Sequence, residues 1–267
     1  MKLDFSVPEV RSLLAFNTGS VYNLEIMKKN FLIIGLLLFA NAARTQVLIS
    51  ILLGDKLNSG KIEFGLEGGG NWSTIKNLDG AKNLTGFNLG FYFDFKLKDS
   101  SWMINTGVIV KSSMGADELP VYQLGDPDLD NAFSGGKIAR KINYFNVPIL
   151  MKYTFKNRIY LKGGVQLGLR YKAFDQFTNS INDEEDLKYK VDIKDQYHAL
   201  DAGLAIGAGY RLIKGNGMNI GLQYYFGLVD IRVDDSSPDQ FNRVLYLTAG
   251  IPIGKNSKKK KADKAGQ

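Results

Sequence analysis

Hydrophobic and polar residues alternate along most of the chain between residues 61 and 253. A side-chain period of two is typical of a β-strand with two different faces. In the run at 159–171, large apolar residues occupy most odd positions, and glycine or polar residues occupy most even ones. The sequence predicts eight strands of this kind: 61–73, 85–97, 102–112, 140–155, 159–171, 198–212, 218–228 and 243–253.

The composition of the two faces indicates that the apolar face points outward. The other face is dominated by glycine with scattered charges, whereas a surface in water would be rich in Lys, Glu and Thr. Small residues fit the crowded interior of a narrow barrel, and bulky apolar residues fit a surface in contact with lipid. The strands are long enough, because about 9–11 tilted residues cross the hydrocarbon layer. The sequence therefore predicts an all-β fold, an eight-stranded antiparallel up-and-down transmembrane β-barrel.

Aromatic residues gather at the two ends of the predicted strands. Two aromatic belts that flank an apolar band are typical of outer-membrane barrels, where they lie at the membrane interfaces. We predict this position for Phe95, Trp102, Tyr153, Phe155 and Tyr210 at one end, and for Trp72, Phe87, Phe145, Tyr171 and Phe226 at the other.

The connections between the predicted strands alternate in length. Short turns at 98–101, 156–158 and 213–217 alternate with long loops at 74–84, 113–139, 172–197 and 229–242. In outer-membrane barrels the short turns are periplasmic and the long loops extracellular. An even number of strands then places both termini in the periplasm, and we predict a location in the outer membrane of a Gram-negative envelope.

Residues 27–45 have the pattern of a secretory signal peptide. Lys28 and Lys29 precede an apolar run of about ten residues, and Ala40 and Ala42 give the small-residue pattern of a cleavage site. The run is too short for a transmembrane helix, which takes about 20 residues. We interpret 1–26 as a mis-assigned N-terminal extension, 27–45 as the signal peptide, 46–60 as a short N-terminal segment, 61–254 as the barrel and 255–267 as a Lys-rich periplasmic tail.

Composition excludes several other classes of protein. The 267 residues include no Cys and one His, which excludes disulfide scaffolds, thiolate sites and multi-His zinc sites. The net charge of +7 comes from the two ends, because residues 46–254 hold 23 basic and 23 acidic side chains. A nucleic-acid binder would concentrate basic charge on its folded domain, so we predict no nucleic-acid partner and no cofactor.

Charged residues on the polar face predict a network inside the barrel. An eight-stranded barrel has room for side chains but no open channel, and buried charges must be paired. A structural plug is the expected role, with a gated ion path or a binding site as the alternatives. We expect the acids Glu63, Glu67, Asp94 and Asp201 to pair with the bases Lys111, Lys152, Lys162, Arg170 and Arg211.

The long loops are acidic, and one of them has a calcium-like spacing. Asp126, Asp128 and Asp130 follow the D-x-D-x-D pattern, but Asn131 and Lys137 replace the glycine and the glutamate of a calcium loop. We therefore predict a solvated loop and no metal site. Catalysis is not expected either, because His198 points outward by parity and Asp201 has the opposite parity.

Several segments resemble the PorT-like outer membrane β-barrel family, which is similar in shape to OmpX and the OmpA barrel. The resemblance lies in residues 143–153, 163–168, 201–210, 221–228 and 247–251 and covers about residues 60–254. It implies an outer-membrane location, and some relatives are linked to protein secretion. The last predicted strand departs from such barrels, because it ends without the aromatic residue that the insertion machinery reads.

We therefore predict a small outer-membrane barrel with a structural or interaction role, and no enzyme activity. Its long loops would form the contact surface, with a loop partner that the sequence does not identify. The expected surroundings are outer-membrane lipid and lipopolysaccharide, together with the barrel-assembly machinery during insertion. A soluble ligand-binding barrel of the lipocalin type and an outer-membrane enzyme are the alternatives.

Overall fold

The computed structural model describes residues 60–99, 101–181, 184–212, 217–236 and 238–253. The predictions for the extension, the signal peptide and the Lys-rich tail lie outside these residues, as does nearly all of the segment at 46–60. The described residues all belong to one compact unit, Leu53–Gln267.

Antiparallel strands make up most of the described chain. A seven-residue helix, α1 (Pro127–Phe133), and a 3-10 turn (Lys194–Gln196) are its helical elements. No helix in these ranges is long and apolar enough to span a membrane, a finding that has no bearing on spans made of strands. The strands are β1 (Ile62–Lys76), β2 (Lys82–Lys96), β3 (Trp102–Lys111), β4 (Ser113–Leu119), β5 (Lys137–Thr154), β6 (Ile159–Ile181), β7 (Glu184–Asp192), β8 (Leu200–Arg211), β9 (Asn219–Gly227) and β10 (Phe241–Pro252).

The strand pairing is up-and-down and returns to its starting point. Strands that follow one another pair around the sheet, except that β3 and β4 both lie between β2 and β5 and that β6 pairs with β8. β10 pairs with β1 from Gly65 opposite Pro252 to Lys76 opposite Phe241. Because the first and last strands pair, the ring of backbone hydrogen bonds has no open edge at this seam. Lipid offers no water to an unpaired edge, so this closure is what a transmembrane sheet requires.

The structure has ten strands where the sequence predicted eight. β4 follows β3 after Ser112 and pairs, like β3, with β2 and β5. β7 pairs only with the far end of β6, which runs ten residues beyond the predicted end at Tyr171. Both regions fall within long loops of the prediction, at 113–139 and 172–197.

The inner face of the sheet changes character along its length. We call the part between the two predicted aromatic belts the membrane-level band. We call residues 74–84, 113–143, 172–199 and 228–242 the cap. The buried inner positions of the membrane-level band are largely polar, among them Asn71, Asn88, Asp94, Asn105, Asn146, Lys152, Gln166 and Gln223. The cap instead encloses an apolar core, which includes Ile75, Met114, Leu119, Phe133, Ile138, Ile142, Phe177, Ile193 and Ile231.

Candidate functional site

Two buried ion pairs lie inside the short-turn end of the barrel. Arg211 of β8 donates to both carboxylate oxygens of Glu63 on β1, at 2.6 and 3.0 Å. Lys152 Nζ of β5 lies 2.6 Å from Asp94 Oδ2 of β2, and the other oxygen of Asp94 accepts from Asn105 Nδ2 at 2.7 Å. Neither pair joins neighbouring strands of the ring, because β3 lies between Lys152 and Asp94, and β9 and β10 lie between Arg211 and Glu63.

Tyrosine rings fill the space around these pairs. Tyr92 donates its hydroxyl to Glu63 Oε1 at 3.2 Å and accepts from Asn219 Nδ2 at 3.3 Å. The ring of Tyr160 packs so closely on Gly209 that a Cβ there would lie 2.3 Å from Tyr160 Cζ. The glycines of the inner face therefore make room for aromatic rings in the lumen.

Of the residues predicted for the lumen network, the structure brings Glu63 together with Arg211 and Asp94 together with Lys152. Glu67 and Lys162 both lie on the inner face, where their charges interact. Asp201 meets no cation as a hydrogen-bond partner among the described residues, and its Oδ2 accepts from Asn242 Nδ2 at 2.8 Å.

Two of the predicted bases do not take part in the network. Arg170 donates from Nε to the backbone oxygen of His198 at 3.1 Å instead of to an acid. Lys111 points outward, with Nζ 5.8 Å from the ring centroid of Phe87. A β-bulge in β3 causes this, because Leu89 pairs with Lys111 while Gly90 pairs with Ile109, and the extra residue reverses the parity.

Uncharged polar residues in the middle of the lumen were missed by the sequence prediction. Gln223 Nε2 donates to Gln166 Oε1 at 3.1 Å, and the hydroxyls of Ser112 and Tyr246 lie 3.3 Å apart. The prediction considered charges only. The same alternation would have found Gln166, Gln223 and Tyr246, whereas Ser112 faces inward only because of the bulge in β3.

The cap contains its own buried ion pair. Arg140 makes two hydrogen bonds to Asp175, at 2.8 and 2.6 Å, and donates to the hydroxyl of Tyr197 at 3.0 Å. Burial by itself would lower the pKa of Arg140, but its hydrogen bonds to Asp175 and the nearby charge raise that pKa above its usual range. Burial and the charge of Asp175 also raise the pKa of Tyr122 to about 12.

The acidic loop of the predicted calcium-like spacing forms helix α1. Asp126 caps the helix, because its Oδ1 accepts from the backbone nitrogens of Asp128 and Leu129 at 3.0 and 3.3 Å. Asp130 Oδ1 accepts from the backbone nitrogen of Leu124 at 2.6 Å. These carboxylates therefore serve to fold the loop.

Two shallow depressions flank α1 on the surface of the cap. The first, of about 260 Å³, is lined by Val121, Tyr122, Gln123, Leu124, Asp130, Phe133 and Ser134. The second, of about 200 Å³, is lined by Gly135, Gly136, Lys137, Thr178, Asn179 and Ser180. Both are smaller than a typical small-molecule site, which measures about 300–1,000 Å³.

The ten predicted belt aromatics all lie on the outer face. Near the short turns, the ring centroids of Trp102 and Tyr153 are 4.8 Å apart, and near the long loops those of Phe145 and Tyr171 are 4.5 Å apart. Between the belts the surface is apolar, and Ile206 is the most exposed large side chain there at 69%. This outer surface, with a polar interior behind it, disagrees with the soluble lipocalin-like alternative, which needs the reverse arrangement.

The sequence matches the model of one protein family, described as an outer membrane protein beta-barrel domain, over residues 39–232. That stretch is well over half of the chain. The chain belongs to this family. It is therefore an outer-membrane β-barrel protein, and the predicted location is confirmed. The match is to the broad family, so the PorT-like resemblance stays a prediction.

Solved structures of small outer-membrane proteins are similar at low identity. Ail of Yersinia pestis, solved with the heparin analogue sucrose octasulfate, is 18% identical with a TM-score of 0.37, over 72% of this chain and 99% of that one. OprG from Pseudomonas aeruginosa is 17% identical with a TM-score of 0.32, over 73% and 96%. A major outer membrane protein from Thermus thermophilus is 16% identical with a TM-score of 0.35, over 72% and 98%. No curated protein matches the chain.

The residues considered for catalysis in this outer-membrane barrel do not come together. His198 is exposed just before β8, and its backbone nitrogen donates to the oxygen of Ile231 at 2.8 Å. Asp201 is buried on the inner face of the same strand. No group of three or more metal-ligating side chains occurs within the described ranges.

Proposed function

We propose that this outer-membrane protein is a closed barrel of eight strand positions, with a structural or interaction role and no channel or enzyme activity. In this proposal β3 and β4 share one position in the ring, and β7 stands outside it as an extracellular addition. The observation that carries the proposal is the contrast between the polar lumen, in which ion pairs join different strands, and the apolar core of the cap.

The lumen supports a plug. Arg211 and Lys152 each pair with an acid on a strand that is not their neighbour, and Tyr92 links Glu63 to Asn219 of β9. Charges that are paired and hydrogen-bonded in this way are costly to separate, because a buried ion loses its solvation without a partner. An open water-filled path would have to break these contacts.

The cap supports a contact surface. Its apolar core and the buried pair of Arg140 with Asp175 hold the long loops in a defined shape. A surface that is already ordered binds without an added cost for ordering loops. We propose that the depressions beside α1 are part of this contact surface, and that the loop partner is extracellular.

The orientation follows from loop length. Short turns are periplasmic in barrels of this kind, so both termini would be periplasmic and the signal peptide would direct export. The expected surroundings are outer-membrane lipid and lipopolysaccharide, with the barrel-assembly machinery acting during insertion. A link to protein secretion, as in PorT-like relatives, is part of the same proposal.

Conductance tests the closed lumen. The purified protein, reconstituted in planar bilayers, is expected to give no channel steps, and insertion is checked by heat-modifiable mobility on gels. The variant E63A/R211A, which removes one pair without leaving an unpaired charge, is expected to stay closed because the cap core remains. Steady steps in the unaltered protein would overturn the plug.

Complementation tests the contact surface. A strain lacking the protein is compared with strains that express it unaltered or with residues 120–136 replaced by a Gly-Ser linker. We expect the deletion to change secreted proteins or envelope integrity, and the linker variant to fail to restore them. The matched control K98Q/K156Q, at the short turns, should restore them. Full restoration by the linker variant would contradict the proposal.

A further inference from the structure

Four lysines share one side of the barrel just above the long-loop aromatic belt. Lys141 lies on β5, Lys172 on β6, and Lys188 and Lys190 on β7, with the ring of Phe174 among them. We call these five residues the lysine face. Lys172, Lys188 and Lys190 are exposed, and Lys141 is half-buried.

Strand register places these side chains on one surface. Phe174 pairs with Lys141 on one side and with Asp192 on the other, while Gln176 pairs with Lys190. The alternate residues of the same strand, including Ala173 and Phe177, are buried in the cap core. Because side chains alternate across a sheet, the lysine face points away from the barrel.

The positive charges are close together. Asp192 shares their face, because it pairs with Phe174, but its Oδ1 accepts from the backbone nitrogen of Lys194 at 2.8 Å. None of the four lysines makes an ion pair with a side chain that the structure describes, and Lys141 Nζ lies 3.4 Å from Gln176 Oε1. Lys172 Nζ and Lys190 Nζ are each 5.2 Å from the ring centroid of Phe174, so the two nitrogens are within about 10 Å of each other. Concentrated charge of one sign attracts a ligand of the opposite sign.

The lower part of the lysine face, Lys172 and Lys141, matches the height of the headgroup layer, whereas Lys188 pairs with Thr178, seven residues beyond Tyr171. Lys172 follows Tyr171 of the belt, and Lys141 is four residues beyond Phe145, or about 13 Å along the strand at about 3.3 Å per residue. A strand tilt of about 40° reduces this rise to about 10 Å. The polar layer on each side of a bilayer is about 5–8 Å thick, and a lysine side chain reaches several ångströms toward it.

We propose that the lysine face binds the phosphate groups of lipopolysaccharide in the outer leaflet. The proposal rests on the orientation given above, in which the cap is extracellular. The ammonium groups supply point charges for phosphate, and Phe174 holds two of them in place between the belt and the cap.

Lipid binding by the intact protein tests the proposal. Native mass spectrometry of the detergent-solubilised protein measures its affinity for bisphosphorylated lipid A, for dephosphorylated lipid A and for soluble inorganic pyrophosphate. K172Q/K190Q is compared with the matched control K98Q/K156Q, whose lysines are exposed at the short-turn end. About 1 kcal/mol for each lysine at a lipid surface corresponds to about a thirtyfold loss for the double variant.

We expect that loss for K172Q/K190Q, no change for K98Q/K156Q, and recovery in K172R/K190R. Equal affinity of K172Q/K190Q and the unaltered protein, or equal affinity for dephosphorylated lipid A, would overturn the proposal. Pyrophosphate binding as tight as lipid A binding would overturn the lipid as the source of the phosphate.

Surface labelling separates this proposal from the orientation on which it rests. The chain has no Cys, so Q123C introduces a single thiol on the exposed surface of the cap. Labelling of intact cells by a membrane-impermeant maleimide is expected. No labelling would contradict the proposed orientation, whereas labelling together with unchanged lipid A affinity in K172Q/K190Q would overturn the lysine face alone.

Discussion

In the membrane-level band large apolar side chains point outward and polar ones inward, whereas in the cap the apolar side chains point inward. β5 passes through both regions without changing its parity: its inward residues include Asn146 and Lys152 in the band and Ile142 in the cap. β6 changes its parity, because an extra residue at Tyr171 shifts the register between Asn143 and Tyr144 of β5. The difference shows that the surroundings decide which side chains point outward. Apolar side chains do so where the outer face meets lipid, and polar side chains do so where it meets water.

Breaking a lumen ion pair is expected to have the largest effect. Asp94→Ala leaves Lys152 buried without its partner, which costs about 3–5 kcal/mol of unfolding free energy. Urea unfolding in lipid vesicles, followed by tryptophan fluorescence, measures this loss. The double variant D94N/K152M removes both charges and should recover most of it. A loss below about 1 kcal/mol for Asp94→Ala would indicate a hydrated lumen.

Removing a core side chain of the cap should lower the unfolding free energy of the cap by a similar amount and leave the barrel folded. Phe177 is 0% exposed, and its replacement by Ala is expected to cost about 3–5 kcal/mol. The measurement is limited proteolysis of the reconstituted protein. Cleavage should become faster in the cap, while the barrel keeps its heat-modifiable mobility. Tyr189→Ala, at an exposed aromatic position of β7, is the control.

The same change on the two outer surfaces should give different results. Ile206→Arg places a charge on the lipid-facing surface and is expected to cost about 2–4 kcal/mol if it lies near the bilayer midplane. Val233→Arg makes the same change at an exposed position of the cap, where water solvates the charge. Urea unfolding in vesicles compares the two. Equal costs would mean that the regions do not differ in solvent.

Adding one methyl group inside the lumen should have a smaller effect. Gly209→Ala would place its Cβ 2.3 Å from Tyr160 Cζ, and overpacking of this kind costs about 1–3 kcal/mol. Gly163→Ala is the control, because its nearest neighbour is the backbone oxygen of Ala205 at 3.8 Å. Equal unfolding midpoints for the two variants would show that Tyr160 moves freely.

The pH dependence of the cap gives the smallest expected effect. The pKa of Tyr122 is raised to about 12, whereas an unfolded tyrosine has a pKa of about 10. Between these values the unfolded chain loses the proton and the folded cap keeps it, so stability falls as pH rises from about 10 to about 12. Ultraviolet difference titration should show that Tyr122→Phe lacks one tyrosine that ionises near pH 12 in the unaltered protein.

Much of the barrel could be predicted because alternation is a local signal. Each of the eight predicted runs lies in a strand of the structure, and the outward aromatics follow from parity alone. Four members of the lumen network were found in the same way. Lys111 was predicted wrongly because a bulge, which depends on the register with β2, reverses its direction. β4, β7 and α1 were missed because their apolar residues are stabilised by contacts from distant loops.

The sequence by itself determined the location of the strands and the side of the sheet that meets lipid, because these depend on the order of residue types along a short stretch. Only the tertiary structure decided which charges pair, since Arg211 and Glu63 are 148 positions apart and meet when β10 closes on β1. It also decided that the apolar side chains of the cap point inward and that four lysines from three strands lie on one surface. These features arise from register and ring closure, which bring distant residues within reach of short-range forces.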